Sequence, residues 1–375
     1  MKYRDLHVRT WVEIDRGAIK KNYRVFRREI PKETKLMAVV KSNAYGNELI
    51  GFSKELDSLG ADAFGVDSIT EAVTLRAEGI TKPILILGHT IPENYLVASE
   101  KNISVTLSSF DALKFLLKLE IPVRVHIKID SGMHRQGFYA EEAEKLAKAL
   151  KRAPHIIVEG MYTHFASAKD PKHSKETDAQ AEAFLRAADV FEKAGFTFIK
   201  HTCATGGTLL FPQYHFDMVR TGIGLHGLWP AKESEKARGK EIHLSPILSW
   251  KTIVAEVKTV KKGEGIGYDF TEMFKHDSKI AICPVGYWHG FSRAFSSTGS
   301  VLIRGQRARV LGRVSMDMIA VDVSKIPNIR LGDEVVLLGT QKKDRISAEE
   351  LADISGTTNY EVVTRINPKI CRVFI

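Results

Sequence analysis

The chain has 375 residues, 44% hydrophobic and 27% charged, which fits a globular protein with enough core for two domains and excludes a disordered or fibrous one. Its three cysteines, Cys203, Cys283 and Cys371, are odd in number, far apart and without metal-ligand spacing, so a reducing compartment is expected and a disulfide framework is not. The net charge of +10 would attract phosphates non-specifically, but Lys20, Lys21, Arg24, Arg27 and Arg28 share one predicted helix without interleaved aromatics. A solvated face is expected there, not a nucleic-acid partner.

From Met1 to Asp15 there is no apolar run of signal-peptide length, and no later stretch reaches the ~18 apolar residues of a membrane span; a cytoplasmic protein is expected. From Arg16 to about His226, amphipathic stretches such as Ala140 to Leu150 and Glu176 to Lys193 alternate with short apolar runs. The runs are 36–41, 62–66, 84–87, 103–107, 123–129, 156–164, 198–203 and 218–223, and Ser108 or Ser109 is placed to cap a helix starting near Asp111. Eight strand–helix alternations in about 210 residues favour a (β/α)8 barrel over an open sheet.

After about Leu244 come shorter strands at 251–260, 279–283, 301–303, 308–311, 318–323 and 334–338, separated by glycine turns, with one helix at 347–354. The stretch 232–243 reads as a charged loop. The expected class is α/β: an N-terminal (β/α)8 TIM-like barrel over residues 1–244 and a C-terminal mostly β domain over 245–375. The first dozen or so residues are candidates to pair with the β domain.

Residues with chemistry fall repeatedly at predicted C-terminal strand ends, where such barrels carry their sites. Lys41 ends the first run, in Val39-Val40-Lys41-Ser42-Asn43-Ala44-Tyr45-Gly46. An amine there has no packing reason: either its stem snorkels to solvent, or it is held for chemistry such as Schiff-base formation. Lys128, Asp130, Met133 and Arg135 follow the fifth run, His164 ends the sixth, His201, Thr205 and Gly206 follow the seventh, and Arg220, Gly222 and Ile223 lie at the eighth. The last two loops suit an anion held by the Thr205 hydroxyl and glycine amides; Gly206-Gly207 taken alone reads as a plain turn, and it is Lys41 opposite that turns the reading to an anion site.

Taken together, these segments resemble the alanine racemase family, which depends on pyridoxal 5'-phosphate. The resemblance runs through Val39 to Gly46, Lys128 to Gly137, Tyr162 to Ala168, Met218 to Ile223, Gly263 to Tyr268, Pro284 to Tyr287, Gly312 to Asp317 and Asn359 to Glu361, in family order. It implies that Lys41 and Tyr268 are the two bases that exchange the α-proton of alanine from opposite faces. Lys41 would also hold the cofactor, and Tyr45, Thr205, Gly222, Ile223 and Tyr360 its phosphate. Arg220 would face the pyridine nitrogen, and Arg135 and the Met316 amide the substrate carboxylate. His164, linked to Arg220, would assist Tyr268, while His201, Tyr287, Arg313 and Asp317 would support the site. Lys128 would be carbamylated and orient Arg135. A homodimer with an active site shared between subunits is implied, supplying D-alanine for peptidoglycan.

Several positions depart from the family pattern: Asn47 in place of histidine, His134 of glycine, Ala204 of asparagine, His226 of tyrosine, and Trp288-His289 of alanine and aspartate. None removes a group the mechanism needs, but they leave side-chain preference open. Rival readings are a broad-specificity, serine or basic amino acid racemase, and a non-catalytic pyridoxal phosphate-binding protein.

Overall fold

The computed structural model describes residues 8–375, which divide into two compact units. One comprises Gly17–Ala44 and Leu49–Pro246. The other comprises Tyr45–Glu48, Ile247–Ile375 and the described residues up to Arg16, so it takes in two stretches from within the 1–244 range.

Strand β1 (Thr10–Ile14) is followed by the barrel strands β2 (Lys35–Val39), β3 (Ala63–Val66), β4 (Ile84–Ile86), β5 (Ser104–Leu107), β6 (Val123–Lys128), β7 (Ile156–Tyr162), β8 (Ile199–His201) and β9 (Met218–Thr221). Neighbours from β2 to β8 pair in parallel, and β9 pairs with β2. The gap between β8 and β9 is bridged at Ala204 and Arg220, whose N–H donates to the Cys203 carbonyl at 2.9 Å. All eight expected runs are therefore barrel strands. They are near-continuously apolar because a parallel barrel buries both faces of each strand; Leu36, Met37, Ala38 and Val39 are all buried. Of the two serines proposed as a cap, Ser109 does the work, its Oγ accepting the Ala112 N–H at 3.2 Å.

In the other unit β1 lies between Leu248–Ile253, antiparallel, and Cys371–Phe374, parallel, within a ten-stranded sheet. Trp250 is buried there edge-on to Phe291. Four expectations are corrected. The 251–260 strand is two, Leu248–Ile253 and Glu256–Val260, because the chain changes partner: Val254 N–H donates to Asp333 and Ala255 N–H to Ile282. The loop at 232–243 contains a helix, Lys232–Arg238, with Glu233 and Glu235 in its first turn and Lys236 and Arg238 in its last, the order that suits the helix dipole. Arg238 also pairs with Glu29 at 2.9 Å. The β unit holds two helices, Ala348–Ser355 and Asn359–Thr364, where one was expected. Finally, the first barrel strand stops at Val39, two residues short of Lys41.

Candidate active site

Beyond β2 the chain enters a left-handed turn. Ser42, Asn43, Ala44 and Tyr45 have φ of 57°, 55°, 51° and 53°, and none is glycine. Each such residue costs about 1–2 kcal/mol relative to the right-handed form, so the turn persists because its surroundings hold it. The Ala44 N–H returns to the Val40 carbonyl at 2.8 Å, the Asn43 N–H donates to Glu71 Oε1 at 2.9 Å, and Asn43 Oδ1 takes the Leu49 N–H at 2.9 Å. The turn projects Lys41, whose Nζ lies 3.5 Å from Asp67 Oδ1 in the loop after β3.

On the strand paired with β2, Arg220 is only 3% exposed. Its Nη1 donates to His201 Nδ1 at 3.0 Å and the His201 carbonyl at 2.7 Å, and its Nη2 to the carbonyls of Thr163 at 2.7 Å and Thr202 at 3.0 Å. Four of its five N–H donors are thus used. The fifth, Nε–H, makes no hydrogen bond among the described residues and is not one of the sealed buried atoms. Burial pushes the guanidinium down to about 10, which leaves it charged at neutral pH. Because Arg220 donates to His201 Nδ1, that nitrogen carries no proton, and His201 Nε2–H must donate to His126 Nδ1, 2.9 Å away. Burial and the Arg220 charge hold both rings neutral, His126 down to about 4 and His201 well below its ordinary value.

The loop after β6 is organised by Asp130. Its Oδ1 accepts the N–H groups of Gly132, Met133 and His134 at 2.9–3.1 Å, and its Oδ2 that of Arg135 at 3.0 Å; burial would raise its carboxyl, but the bonds from His134, Gly132 and Met133 outweigh it and hold the carboxyl below the usual range. His134 has φ of 54°, the left-handed region that glycine adopts freely, so the residue that replaces the family's glycine occupies a glycine-type position. Lys128 is 5% exposed and donates to Gln136 Oε1 at 3.2 Å. Burial, with Arg135 and Arg220 nearby, pushes its amine down to about 8. Arg135 is exposed.

His164 is driven down to about 3 by burial and by the charges of Arg220, Arg135, Lys128 and Lys41. The expected link is corrected here: among the described residues Arg220 bonds the ring of His201, not that of His164, because its forked nitrogens are filled by His201 Nδ1 and three carbonyls. Thr205 Oγ1 accepts the N–H groups of Gly222 at 3.2 Å and Gly224 at 3.4 Å, tying the last two loops together beside Ile223. Glycine is required at 206, where a Cβ would meet the Ala168 carbonyl at 2.8 Å. His226 is buried, stacked on Phe52 at 4.3 Å, and Ala204 forms the closing bridge of the barrel.

In the β unit, Tyr45 and Tyr360 have ring centroids 6.2 Å apart. Burial raises both phenols, Tyr45 to about 12, so they remain neutral donors. Asn47 Nδ2 donates to the Tyr45 carbonyl at 3.3 Å. Tyr268 stands 68% exposed after Gly267, and Asp269 beside it pairs with Arg313. The N–H groups of Tyr287 and Trp288 donate to the carbonyls of Ser315 and Met316, both at 3.0 Å, bringing the 287–288 and 315–316 segments side by side. His289 Nδ1 lies 3.8 Å from Asp317, but accepts the Gly286 N–H at 3.2 Å, so it carries no proton to donate to the carboxylate.

Sequence reasoning missed Asp67, Glu71, His126 and Gln136. The signal was present for two of them: Asp67 directly follows β3, and Ser68-Ile69-Thr70-Glu71 has helix-capping spacing.

The fold is thus a parallel barrel with an amine, Lys41, just beyond one strand and a buried guanidinium, Arg220, on the neighbouring strand, joined in one chain to a β unit bearing an exposed tyrosine. Residues 14–230 match the alanine racemase N-terminal domain, and 247–374 the alanine racemase C-terminal domain. The alanine racemase of Methanococcus maripaludis is 38% identical over 97% of this chain and 98% of its own, and that of Halothermothrix orenii 36% over 97% and 96%. The crystal structure of alanine racemase from Bacillus anthracis with bound L-Ala-P has a TM-score of 0.92 at 36% identity, covering 99% of this chain and 96% of that one. The Bartonella henselae enzyme with covalently bound pyridoxal phosphate has 0.88 at 26%, covering 98% and 100%. The chain belongs to the alanine racemase family, which is pyridoxal phosphate-dependent.

The donor set fits that cofactor. Within the barrel unit Lys41 offers an amine, Arg220 an uncommitted charged N–H, and Thr205 a hydroxyl suited to a phosphate. No helix among the described residues is long and apolar enough to cross a membrane.

Proposed function

We propose that this chain is an alanine racemase interconverting L- and D-alanine by two bases, Lys41 and Tyr268, and supplying D-alanine for peptidoglycan. The observation that carries the reading is the Arg220 network, which commits every nitrogen donor except Nε–H and sits on the strand beside the one that leads to Lys41.

Pyridoxal phosphate bound there would supply an aldehyde for amines and a conjugated ring that draws electrons from the substrate α-carbon. Lys41 Nζ would hold the cofactor and then move the α-proton on one face; Tyr268 Oη would do so on the other. Arg220 Nε–H would face the ring nitrogen and, being a fixed cation, leave it unprotonated. That restrains electron withdrawal and favours prompt return of the proton over side reactions. Thr205, Gly222, Ile223, Tyr45 and Tyr360 would hold the phosphate. Arg135 and the Met316 N–H would bind the substrate carboxylate. His164, kept neutral, is suited to accept a hydrogen bond from a phenol.

Lys128 would carry a carbamate, which forms when a neutral amine adds to carbon dioxide and releases a proton. An amine pushed down to about 8 provides that neutral form near physiological pH, and the resulting anion would orient Arg135. Intact mass under native conditions checks this.

The number of large apolar side chains left exposed in the β unit, among them Tyr268, Phe270, Tyr287, Trp288, Met316 and Met318, supports a homodimer in which Tyr268 of one copy serves Lys41 of the other. A fully active monomer in sedimentation at assay concentration would contradict it. The activity is tested by incubating the cofactor-loaded protein with L-alanine in deuterium oxide: D-alanine with one α-deuterium is expected. Its absence, with serine or lysine turned over instead, would move the substrate assignment.

A further inference from the structure

Ser68-Ile69-Thr70-Glu71 opens the helix Ile69–Ala77 with the spacing of a capping box, in which the glutamate turns back to the N–H of the capping residue itself. The carboxylate is used differently here. Ser68 Oγ takes the Glu71 N–H at 3.4 Å, as a cap should. Glu71 Oε2, however, accepts the Asp67 N–H at 2.9 Å, and Glu71 Oε1 accepts the Asn43 N–H at 2.9 Å, from a segment 28 residues away. Those two N–H groups flank the same amine. Asn43 lies in the left-handed turn just after Lys41, and the side chain of Asp67 is the 3.5 Å ion-pair partner of Lys41 Nζ.

We propose that Glu71 is a positioning residue for Lys41: its carboxylate ties the left-handed turn behind the amine to the loop carrying the amine's counter-ion, so that the two hold one geometry. The inference rests on Lys41 being the cofactor lysine. L-residues leave the left-handed region unless held, and this turn is pinned at Asn43 from both sides, by Glu71 at its N–H and by the Leu49 N–H at its side chain. An ionised acceptor makes the stronger bond. Glu71→Gln keeps the length but replaces one acceptor oxygen with an NH2 that opposes an N–H, so only one of the two loops stays tied.

The test is hydrogen exchange and steady-state kinetics on the cofactor-loaded wild type, Glu71→Gln and Ser68→Ala. The Asn43 and Asp67 amides should be protected in wild type and exchange about tenfold or more faster in Glu71→Gln. The kcat for alanine should fall about ten- to a hundredfold with KM little changed. Ser68→Ala, which removes the helix cap alone, should move neither. An unprotected Asn43 amide in wild type, unchanged exchange in Glu71→Gln, or equal changes in Ser68→Ala would overturn the proposal. If Glu71→Gln does not fold, Glu71→Asp takes the same measurements, since it keeps the charge but is a methylene too short to reach both loops. Borohydride reduction with peptide mapping separates the two claims. An unlabelled Lys41 in wild type overturns the cofactor reading and this proposal with it, whereas a labelled Lys41 with unchanged exchange in Glu71→Gln overturns this proposal alone.

Discussion

The two sets of candidate residues are built on opposite plans. Around Arg220 the barrel offers buried groups whose hydrogen bonds are nearly all satisfied internally, with two histidines fixed in tautomer by one guanidinium. Around Tyr268 the β unit offers exposed side chains on tight turns, positioned by backbone bonds such as those from 287 and 288 to 315 and 316. A preorganised, low-dielectric setting suits groups that hold charge in place, whereas an exposed phenol on a tight turn contributes little to the packing of its own unit. Changes in the first set should therefore damage fold and chemistry together, and changes in the second chemistry alone.

The largest expected effect is from Lys41→Ala, which should abolish borohydride-trappable cofactor and lower kcat by at least about 10⁴-fold, without unfolding the barrel, because Lys41 is half-exposed beyond the strand end. Arg220→Gln should lose both properties. It leaves several of four buried acceptors unpaired, so chemical denaturation should show a loss of about 3 kcal/mol or more, alongside impaired turnover. Tyr268→Phe is the sharpening contrast: a melting temperature within a degree or so of wild type, as for an exposed substitution, with turnover reduced about 10²-fold or more. Wild-type turnover after that change would break the two-base assignment.

The last effect is a pH dependence of stability alone. Lys128 has a folded pKa of about 8, below its unfolded value of 10.5, so between these the unfolded chain binds more protons and stability rises with pH; below about 8 the cost of burying the charge is present in full. In carbon dioxide-free buffer, wild type should gain up to about 3 kcal/mol on Lys128→Met between pH 8 and 10.5. A flat difference would show that the amine is not penalised by burial.

Much of the barrel side was legible beforehand, because parallel strands advertise themselves as short apolar runs and functional groups cluster just after them. The eight runs are legible in this way, and so is the position of Lys41, Arg220 and Thr205 at or just past the ends of such runs. The helix Lys232–Arg238 is not legible in the sequence because a short, highly charged stretch satisfies the description of a loop as well, until Arg238 meets Glu29. The link from His164 to Arg220 comes from the family resemblance alone, and neither it nor strand order says which ring a buried fork will meet; here it is His201.

From its residues alone this protein is determined as a parallel barrel followed by a β domain, with an amine just past its first barrel strand and the family that this amine and its companion motifs indicate. Those features follow from local periodicity, strand length and short contiguous motifs. The fold alone decided that Glu71 reaches back 28 residues to Asn43, that Arg220 spans 57 residues to the Thr163 carbonyl, and that Tyr268 is left exposed. A hydrogen bond is made or lost over a few tenths of an ångström, and pattern along a chain does not carry distance at that scale.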